Sequence, residues 1–261
     1  MDLELKGKRA IVCGSTQGIG KAIAIELALL GADITLLARN EAKLKDVRTA
    51  LPSKAGQRHE YLIADFSHYE KLRTTIQEYT KGTPIHILVN NTGGPPGGDI
   101  LDAEPQEFLT AFSAHLLCNQ VLVQAIVPGM KESGFGRIIN IISTSVKMPI
   151  KGLGVSNTVR AAVANWSKTL SVELAPFGIT VNNILPGATR TGRLNDIIRN
   201  RSEKSGRSFD EIQAEMIKEI PAGRLADAYE IASAAAFIAS PAAGYITGIN
   251  IPVDGGRTGS L

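Results

Sequence analysis

Cysteine is scarce in this chain, with only Cys13 and Cys118 among 261 residues. Cys13 closes an apolar strand pattern and Cys118 lies in an apolar helical one. Both read as small buried hydrophobes, not as a disulfide or a metal pair, and no bound metal is expected. Charge of one sign is also scarce. The formal net charge of +3 is too small to argue for nucleic acid as a partner. No apolar run reads as long enough to cross a membrane, and the opening Met-Asp-Leu-Glu-Leu-Lys lacks the shape of a signal peptide. A reduced, cytoplasmic setting is expected, with no membrane partner. Pro/Ser-rich linkers and internal repeats are missing too, so residues 1–261 read as one domain, long enough to bury a substantial core.

Alternating strand and helix patterns fill nearly the whole length. Strand patterns run over Arg9–Cys13, Ile34–Ala38, Tyr61–Ala64, Ile85–Val89, Arg137–Ile142, Ile179–Leu185 and Ile249–Val253. Helical spacing separates them, over Lys21–Leu30, Glu41–Leu51, Tyr69–Tyr79, Gln106–Met130, Ser156–Leu174 and Tyr229–Ala239. Near-continuous apolar strands between helices imply a parallel sheet covered on both faces. Right-handed crossovers then give an α/β doubly wound fold of about seven strands. One region breaks the rhythm. Arg193–Glu219 reads as two helices split at Ser205-Gly206, with Ser208-x-x-Glu211 as a capping box. Following a strand's carboxyl end, it is a candidate helical lid over about 192–222.

The most informative stretch is Gly14-Ser-Thr-Gln-Gly18-Ile-Gly20, between the first strand pattern and the first helix. Glycines let the backbone turn sharply and allow close approach, and the helix start offers unpaired N–H groups to a phosphate.

The motifs together resemble the short-chain dehydrogenase/reductase family over essentially the whole chain. Gly14-x-x-x-Gly18-Ile19-Gly20 matches its glycine motif, and Asp65 its adenine-holding acid. Asn90-Asn91-Thr92-Gly93 resembles its Asn-Asn-Ala-Gly turn, with Thr92 for alanine. Pro186-Gly187-Ala-Thr-Arg-Thr191 matches its Pro-Gly-x-x-x-Thr segment. Tyr245-Ile-Thr-Gly248 and Val253-Asp254-Gly255-Gly256 match its C-terminal end. The resemblance is nearest to the 3-oxoacyl thioester reductases. It implies a Rossmann-type oxidoreductase with a dinucleotide held by Gly14, Ser15, Thr16, Gly18, Ile19, Gly20, Asp65, Asn91, Gly93, Pro186, Gly187 and Thr191.

The choice of dinucleotide has a physical basis. A carboxylate at the end of the second strand binds a ribose 2′-OH, whereas an Arg there accommodates a 2′-phosphate. This chain has Arg39 there, then Asn40, and no carboxylate. The guanidinium suits a phosphate by charge and fork geometry, with Ser15 and Thr16 as further hydroxyl donors. NADP(H) is expected over NAD(H).

The family's catalysis uses Asn, Ser, Tyr and Lys. Ser143 is in place after the fifth strand, but the tyrosine position holds Ser156, the lysine position Arg160 and the asparagine position His115. An aliphatic hydroxyl is a far poorer acid than a phenol, and an arginine stays charged and relays no proton. Arg160, one helical turn from Ser156, can still reach nicotinamide-ribose hydroxyls. Ser143 and Ser156 can still donate to a carbonyl oxygen. His115 has two readings: a proton source with a free pKa suited to neutral pH, or a structural histidine bonded to backbone. Lys147 and Lys151, in the loop after Ser143, read as solvated.

The lid is basic, with Arg190, Arg193, Arg199, Arg201, Lys204 and Arg207 facing only Asp196 and Glu203. That charge suits an anionic substrate or a solvated face. Two functions remain open. One is an atypical NADP(H)-dependent oxidoreductase interconverting a small-molecule carbonyl and an alcohol. The other is a cofactor-binding pseudoenzyme, a sensor or partner subunit with little catalysis. The long helices from Gln106 and Ser156 carry surplus apolar surface, and the family resemblance implies a homotetramer, with a dimer as the alternative.

Overall fold

The structure, a computed structural model, describes residues 1–54 and 56–260. Ala55 and Leu261, both inside the expected 1–261 domain, lie outside the described residues.

Seven strands form one all-parallel sheet: β1 (Arg9–Cys13), β2 (Asp33–Ala38), β3 (Glu60–Ile63), β4 (Ile87–Asn90), β5 (Gly136–Ile141), β6 (Ile179–Pro186) and β7 (Asn250–Val253), in the order β3-β2-β1-β4-β5-β6-β7. The expected doubly wound fold is the one observed. Alternation along β1 shows why both faces are covered. Ala10 and Val12 join an apolar cluster with Ile23, Leu27 and Ala235, while Ile11 and Cys13 join another with Leu72, Leu122 and Ile126. On the first face lie α1 (Gly18–Leu29) and α9 (Ala228–Ala239). The buried Ala232, Ala235, Ala236 and Ala239 leave α9 thin enough to pack closely. Helix α2 (Glu41–Ala50) adds Leu44 and Val47 to this face. On the second face lie α3 (Tyr69–Thr80) and α5 (Cys118–Ser133).

Cys13 and Cys118 are buried free thiols. Burial raises both pKa values, that of Cys118 to about 12, and the Cys118 thiol donates to the Phe66 carbonyl at 3.2 Å.

The helix expected over Gln106–Met130 has a break in its regularity. Helix α4 (Pro105–Phe112) passes into a π-helical segment, Ser113–Leu117, before α5. The whole stretch Pro105–Ser133 has 29 residues and a window of mean hydropathy 1.3. By length and composition it could cross a membrane, which corrects the expectation that no stretch is long enough. Here its buried side packs on the sheet through Val121, Leu122, Ile126 and Met130.

Helix α6 (Gly154–Leu174) follows β5, and α7 (Gly192–Ser205) and α8 (Phe209–Lys218) follow β6. The Ser208–Glu211 capping box is formed in both directions, at 3.3 and 2.8 Å. Helices α7 and α8 share an apolar cluster of their own around Leu194, Ile198 and Ile212.

A polar seam crosses the carboxyl half of the sheet. Asn90, Asn140, Asn183 and Asn250 are in register on β4, β5, β6 and β7. Their amides form a ladder: Asn90 Nδ2 donates to Asn140 Oδ1 (2.8 Å), Asn140 Nδ2 to Asn183 Oδ1 (2.9 Å), and Asn183 Nδ2 to Asn250 Oδ1 (2.8 Å). Asn140 also reaches Ser167 Oγ on α6 at 3.2 Å, which ties that helix to the sheet.

Candidate active site

Strand order reverses between β1 and β4, and in open α/β sheets the crevice at such a reversal, beyond the strands' carboxyl ends, is where ligands lie. The Gly14–Gly20 turn and the Asn90–Gly93 turn meet there. Asn91 Nδ2 donates to the carbonyls of Cys13 (3.2 Å) and Gly14 (3.3 Å), clasping one turn to the other. A Cβ on Gly20 would stand 2.3 Å from the Gly14 carbonyl oxygen and 2.6 Å from Asn91 Nδ2, so only glycine fits. Gly18, at φ 53°, would place a Cβ 3.2 Å from Thr191 Cγ2, which brings the Pro186–Thr191 segment against the glycine turn.

Helix α1 opens from Gln17 with no side-chain cap and no acidic residue in its first turn. Its leading N–H groups are therefore available to an anion. Gly93 has nothing within 4 Å of where its Cβ would be. A glycine cradle, an uncapped helix start and open space at Gly93 fit a dinucleotide pyrophosphate.

The side chains around this crevice divide. Arg39 is 75 % exposed and pairs loosely with Asp65 at 4.0 Å, so most of its fork faces solvent. Asn40 is spent as the α2 N-cap, accepting from Lys43 N at 2.9 Å. The Asp65 carboxyl is held below its usual range, first by the Ser67 backbone N–H, which it accepts at 2.9 Å. Ser15 differs from expectation. It is fully buried, and its Oγ accepts from Leu37 N at 3.1 Å, so the hydroxyl braces β1 against β2 instead of facing a phosphate. Gly187 packs against Asp254, where a Cβ would come within 2.7 Å. Thr191 caps α7 by accepting from Leu194 N at 3.3 Å.

At the other end of the crevice, Arg160 ties Ser156 to the strand end before Ser143. Its Nε donates to Ser156 Oγ at 3.2 Å, and its Nη1 donates to the carbonyls of Ile141 (3.2 Å) and Ile142 (2.9 Å), just before Ser143. Because Ser156 Oγ accepts from the guanidinium, its own proton is free to be donated outward. Ser143 Oγ accepts from Ser145 N at 3.1 Å and likewise keeps its proton. Burial, then the charge of Arg193, lowers the Arg160 pKa to about 10, still charged at neutral pH.

His115 sits in the π-helical segment and is buried. Burial, followed by the charge on Arg160, presses its pKa down to about 3, against the pull of a hydrogen bond with the Gly93 backbone. With its pKa held down in this way, His115 is a neutral imidazole near neutral pH in the folded chain. It borders two cavities. One, of about 390 Å³, is lined by Gly93, Gly94, Pro95, Thr110 and Ala111 among others. The other, of about 10 Å³, has room for one water and lies among Asn90, Asn119, Asn140 and His115. Asn90 Oδ1, at the end of the amide ladder, has no hydrogen-bond partner among the described residues.

Sequence reading missed the ladder, Asn119 and the π turn. An asparagine at or beside the carboxyl end of three strand patterns was the available signal for the first. It also overstated the lid's free charge. Arg190 pairs with Asp227 (3.0 Å), Arg199 with Asp196 (3.5 Å) and Arg207 with Glu215 (2.5 Å).

Comparison with known proteins finds relatives over nearly the whole chain. A family model described as enoyl-(acyl carrier protein) reductase matches residues 14–258. A 3-oxoacyl-[acyl-carrier-protein] reductase, FabG, of Haemophilus influenzae is 34 % identical over 253 residues, covering 97 % of this chain and 98 % of that protein. The NADPH-dependent reductase BacG of Bacillus subtilis is 33 % identical over 258 residues, covering 97 % and 99 %. The crystal structure of L-sorbose reductase from Gluconobacter frateurii, complexed with NADPH and L-sorbose, superposes with a TM-score of 0.92 at 30 % identity over 100 % of both chains.

Proposed function

The chain belongs to the short-chain dehydrogenase/reductase family, as an oxidoreductase of small molecules that uses NADP(H), and we propose that it interconverts a carbonyl and an alcohol through Ser143, Ser156 and Arg160. The observation that carries this reading is the Arg160 Nε to Ser156 Oγ bond, with Nη1 anchored on the strand carbonyls beside Ser143.

The glycine turn, the uncapped start of α1, Asn91, Gly93 and Thr191 hold the dinucleotide, and Arg39 meets its 2′-phosphate. Bound NADPH supplies the hydride that adds to the carbonyl carbon. Ser143 and Ser156 donate to the carbonyl oxygen, and the guanidinium stabilises the charge that develops there. Ser156 gives its proton to the forming alcohol and recovers one from water. Donation from Arg160 into Ser156 Oγ makes this hydroxyl a better acid than an isolated serine. Neutral His115, on the wall of both cavities, orients that water and gives up no proton of its own. Helices α7 and α8, with the following turn to about 222, act as the lid of a single 1–261 domain. The exposed Leu109 and Phe112 on α4 and Val172 on α6 support a homo-oligomer, a homotetramer on the family pattern. Its nearest resemblance makes a 3-oxoacyl compound the first substrate to try.

The test is NADPH oxidation over a panel of ketones, 3-oxo acids and 3-oxoacyl thioesters. Turnover by the native chain is expected, and Arg160→Gln should lower kcat by about 10²-fold while NADPH still binds. Restoring the family pair, with Ser156→Tyr and Arg160→Lys together, should lose activity as well, because Arg160 is bonded into its surroundings. The missing phenol favours a second reading, cofactor binding with little catalysis. Tight NADPH binding with no turnover across the panel would decide for it.

A further inference from the structure

Three of the basic residues after β6 are neutralised on the surface by the ion pairs given above, and Arg193 is not. It leaves the first turn of α7 pointing inward, and its Nη2 donates to the Pro95 carbonyl at 2.5 Å. There it meets Arg160. A Cβ built on Gly94 would stand 3.4 Å from Nη2 of Arg160 and 3.4 Å from Nη2 of Arg193, so the two guanidiniums close on Gly94, which lines the larger cavity. Neither is ion-paired among the described residues.

Two like charges brought together without a counter-ion repel, and desolvation adds to the cost. Arg160 and Arg193 are both held below the ordinary arginine pKa, by burial first, and Arg160 also by its neighbour's charge. Asp196, the acid that favours the Arg193 charge, is shared with Arg199 at 3.5 Å on the outer surface. Glu107, the acidic residue that lines the cavity, is turned to its own helix start, where it accepts from Glu104 N at 3.0 Å. A planar anion between the two forks would relieve the repulsion and engage both by charge-assisted hydrogen bonds.

We propose that Arg160 and Arg193 form a subsite for a carboxylate carried by the substrate itself, so that the substrate is a short oxo acid or hydroxy acid, not a neutral thioester. The position of Ser156 sets the spacing, resting on the assignment of that serine and Arg160 to the reacting carbonyl. Arg160 holds Ser156 Oγ with Nε and faces Gly94 with Nη2. The reacting oxygen and the carboxylate are therefore separated by the width of one guanidinium. That fits a carboxylate one or two carbons from the carbonyl, as in 2-oxo and 3-oxo acids. In the forward direction the acid takes a hydride from NADPH at carbon and a proton at oxygen, giving the hydroxy acid and NADP+.

The dinucleotide pyrophosphate offers a similar anion, and the experiment separates the two sources. NADPH is first titrated calorimetrically into the native chain and into Arg193→Gln. The NADP+-loaded proteins then receive 2-oxobutyrate, acetoacetate, their methyl esters and the N-acetylcysteamine thioester of acetoacetate. We expect at least one acid to bind the native chain roughly tenfold or more tighter than its ester, and Arg193→Gln to erase that gap. Arg193→Lys, which keeps the charge but not the fork, should retain part of it. A native chain that takes up NADPH but binds acids no better than esters or thioester overturns the subsite alone. So does an Arg193→Gln chain that keeps the acid preference and instead binds NADPH about tenfold more weakly, which assigns the pair to the pyrophosphate. No heat with NADPH in the native chain overturns the cofactor assignment, and the subsite with it.

Discussion

The two ends of the crevice are built from different materials. At the glycine end the shape is glycine backbone packed on backbone and on short side chains. Gly20 abuts the Gly14 carbonyl, Gly14 abuts Asn91, and Gly18 abuts Thr191. At the reaction end the shape is side chain against backbone, with Arg160 pinned on Ile141 and Ile142 and Arg193 on Pro95. The glycine end follows the family pattern except for Thr92 in place of alanine, whereas the reaction end keeps one of four expected groups. Gly14 and Gly20 accept almost no substitution, because a Cβ on either would come within 2.7 Å of Asn91 or the Gly14 carbonyl. A site made of long side chains can exchange a phenol–ammonium pair for a hydroxyl–guanidinium pair and still present donors to the same place.

The sharpest way to break this contrast is to put a methyl group into the cradle. Gly20→Ala should displace the Gly14 carbonyl or Asn91, lowering NADPH affinity by about 10²-fold or more and costing about 1–3 kcal/mol of stability by overpacking. Calorimetry and thermal melts check both. Unchanged affinity would mean that the glycine end is as forgiving as the reaction end.

Asn140→Ala comes next, since it removes the rung between the two middle strands. It strips Asn90 of its acceptor, Asn183 of its donor, and Ser167 of a contact. Each stranded buried amide costs about 1–3 kcal/mol, so a loss of about 2–5 kcal/mol in chemical denaturation is expected. A loss below about 1 kcal/mol would show that the seam is dispensable.

At neutral pH the smallest effect is expected at His115. In the unfolded chain it takes up a proton near its free pKa of about 6.5, while in the folded chain it stays neutral down to about 3. The folded state thus binds fewer protons between these values. Stability is full above the upper value and falls by about 1.4 kcal/mol per unit as pH drops through the window. His115→Asn should flatten that slope and leave kcat near neutral pH well within tenfold, short of the 10²–10⁴-fold that loss of a general acid brings. A large drop in kcat with loss of an acidic limb between pH 6 and 7 would restore the imidazole as proton donor.

Strands and helices were legible because each carries a local period, and β1 shows it by feeding alternate residues to two apolar clusters. The glycine turn was legible because its chemistry is local as well. What stayed hidden depends on pairings distant in sequence. Asn90 meets Asn140 and Asn140 meets Asn183 only once the strand register is set. Ser15 reads as a hydroxyl beside a phosphate, and only the position of Leu37 reveals that it is spoken for. The lid arginines read as one basic field, until partners such as Asp227 and Glu215 take Arg190 and Arg207 out of it.

The wide turn at Ser113–Leu117 has a consequence for how the cavity can change. Helix α4 contributes Gln106, Thr110 and Ala111 to the cavity wall, and α5 is fixed to the sheet on the far side of that turn. A π turn holds one residue more than a regular helix needs. The wide turn absorbs that residue, so deleting one there would leave α4 facing the pocket much as before, whereas deleting one from the regular helix just beyond it would turn α4 by about 100° relative to the sheet. Every α4 side chain facing the pocket would then be exchanged for another at once. Just past the wide turn, the count of residues governs the lining of the pocket more strongly than their identity does.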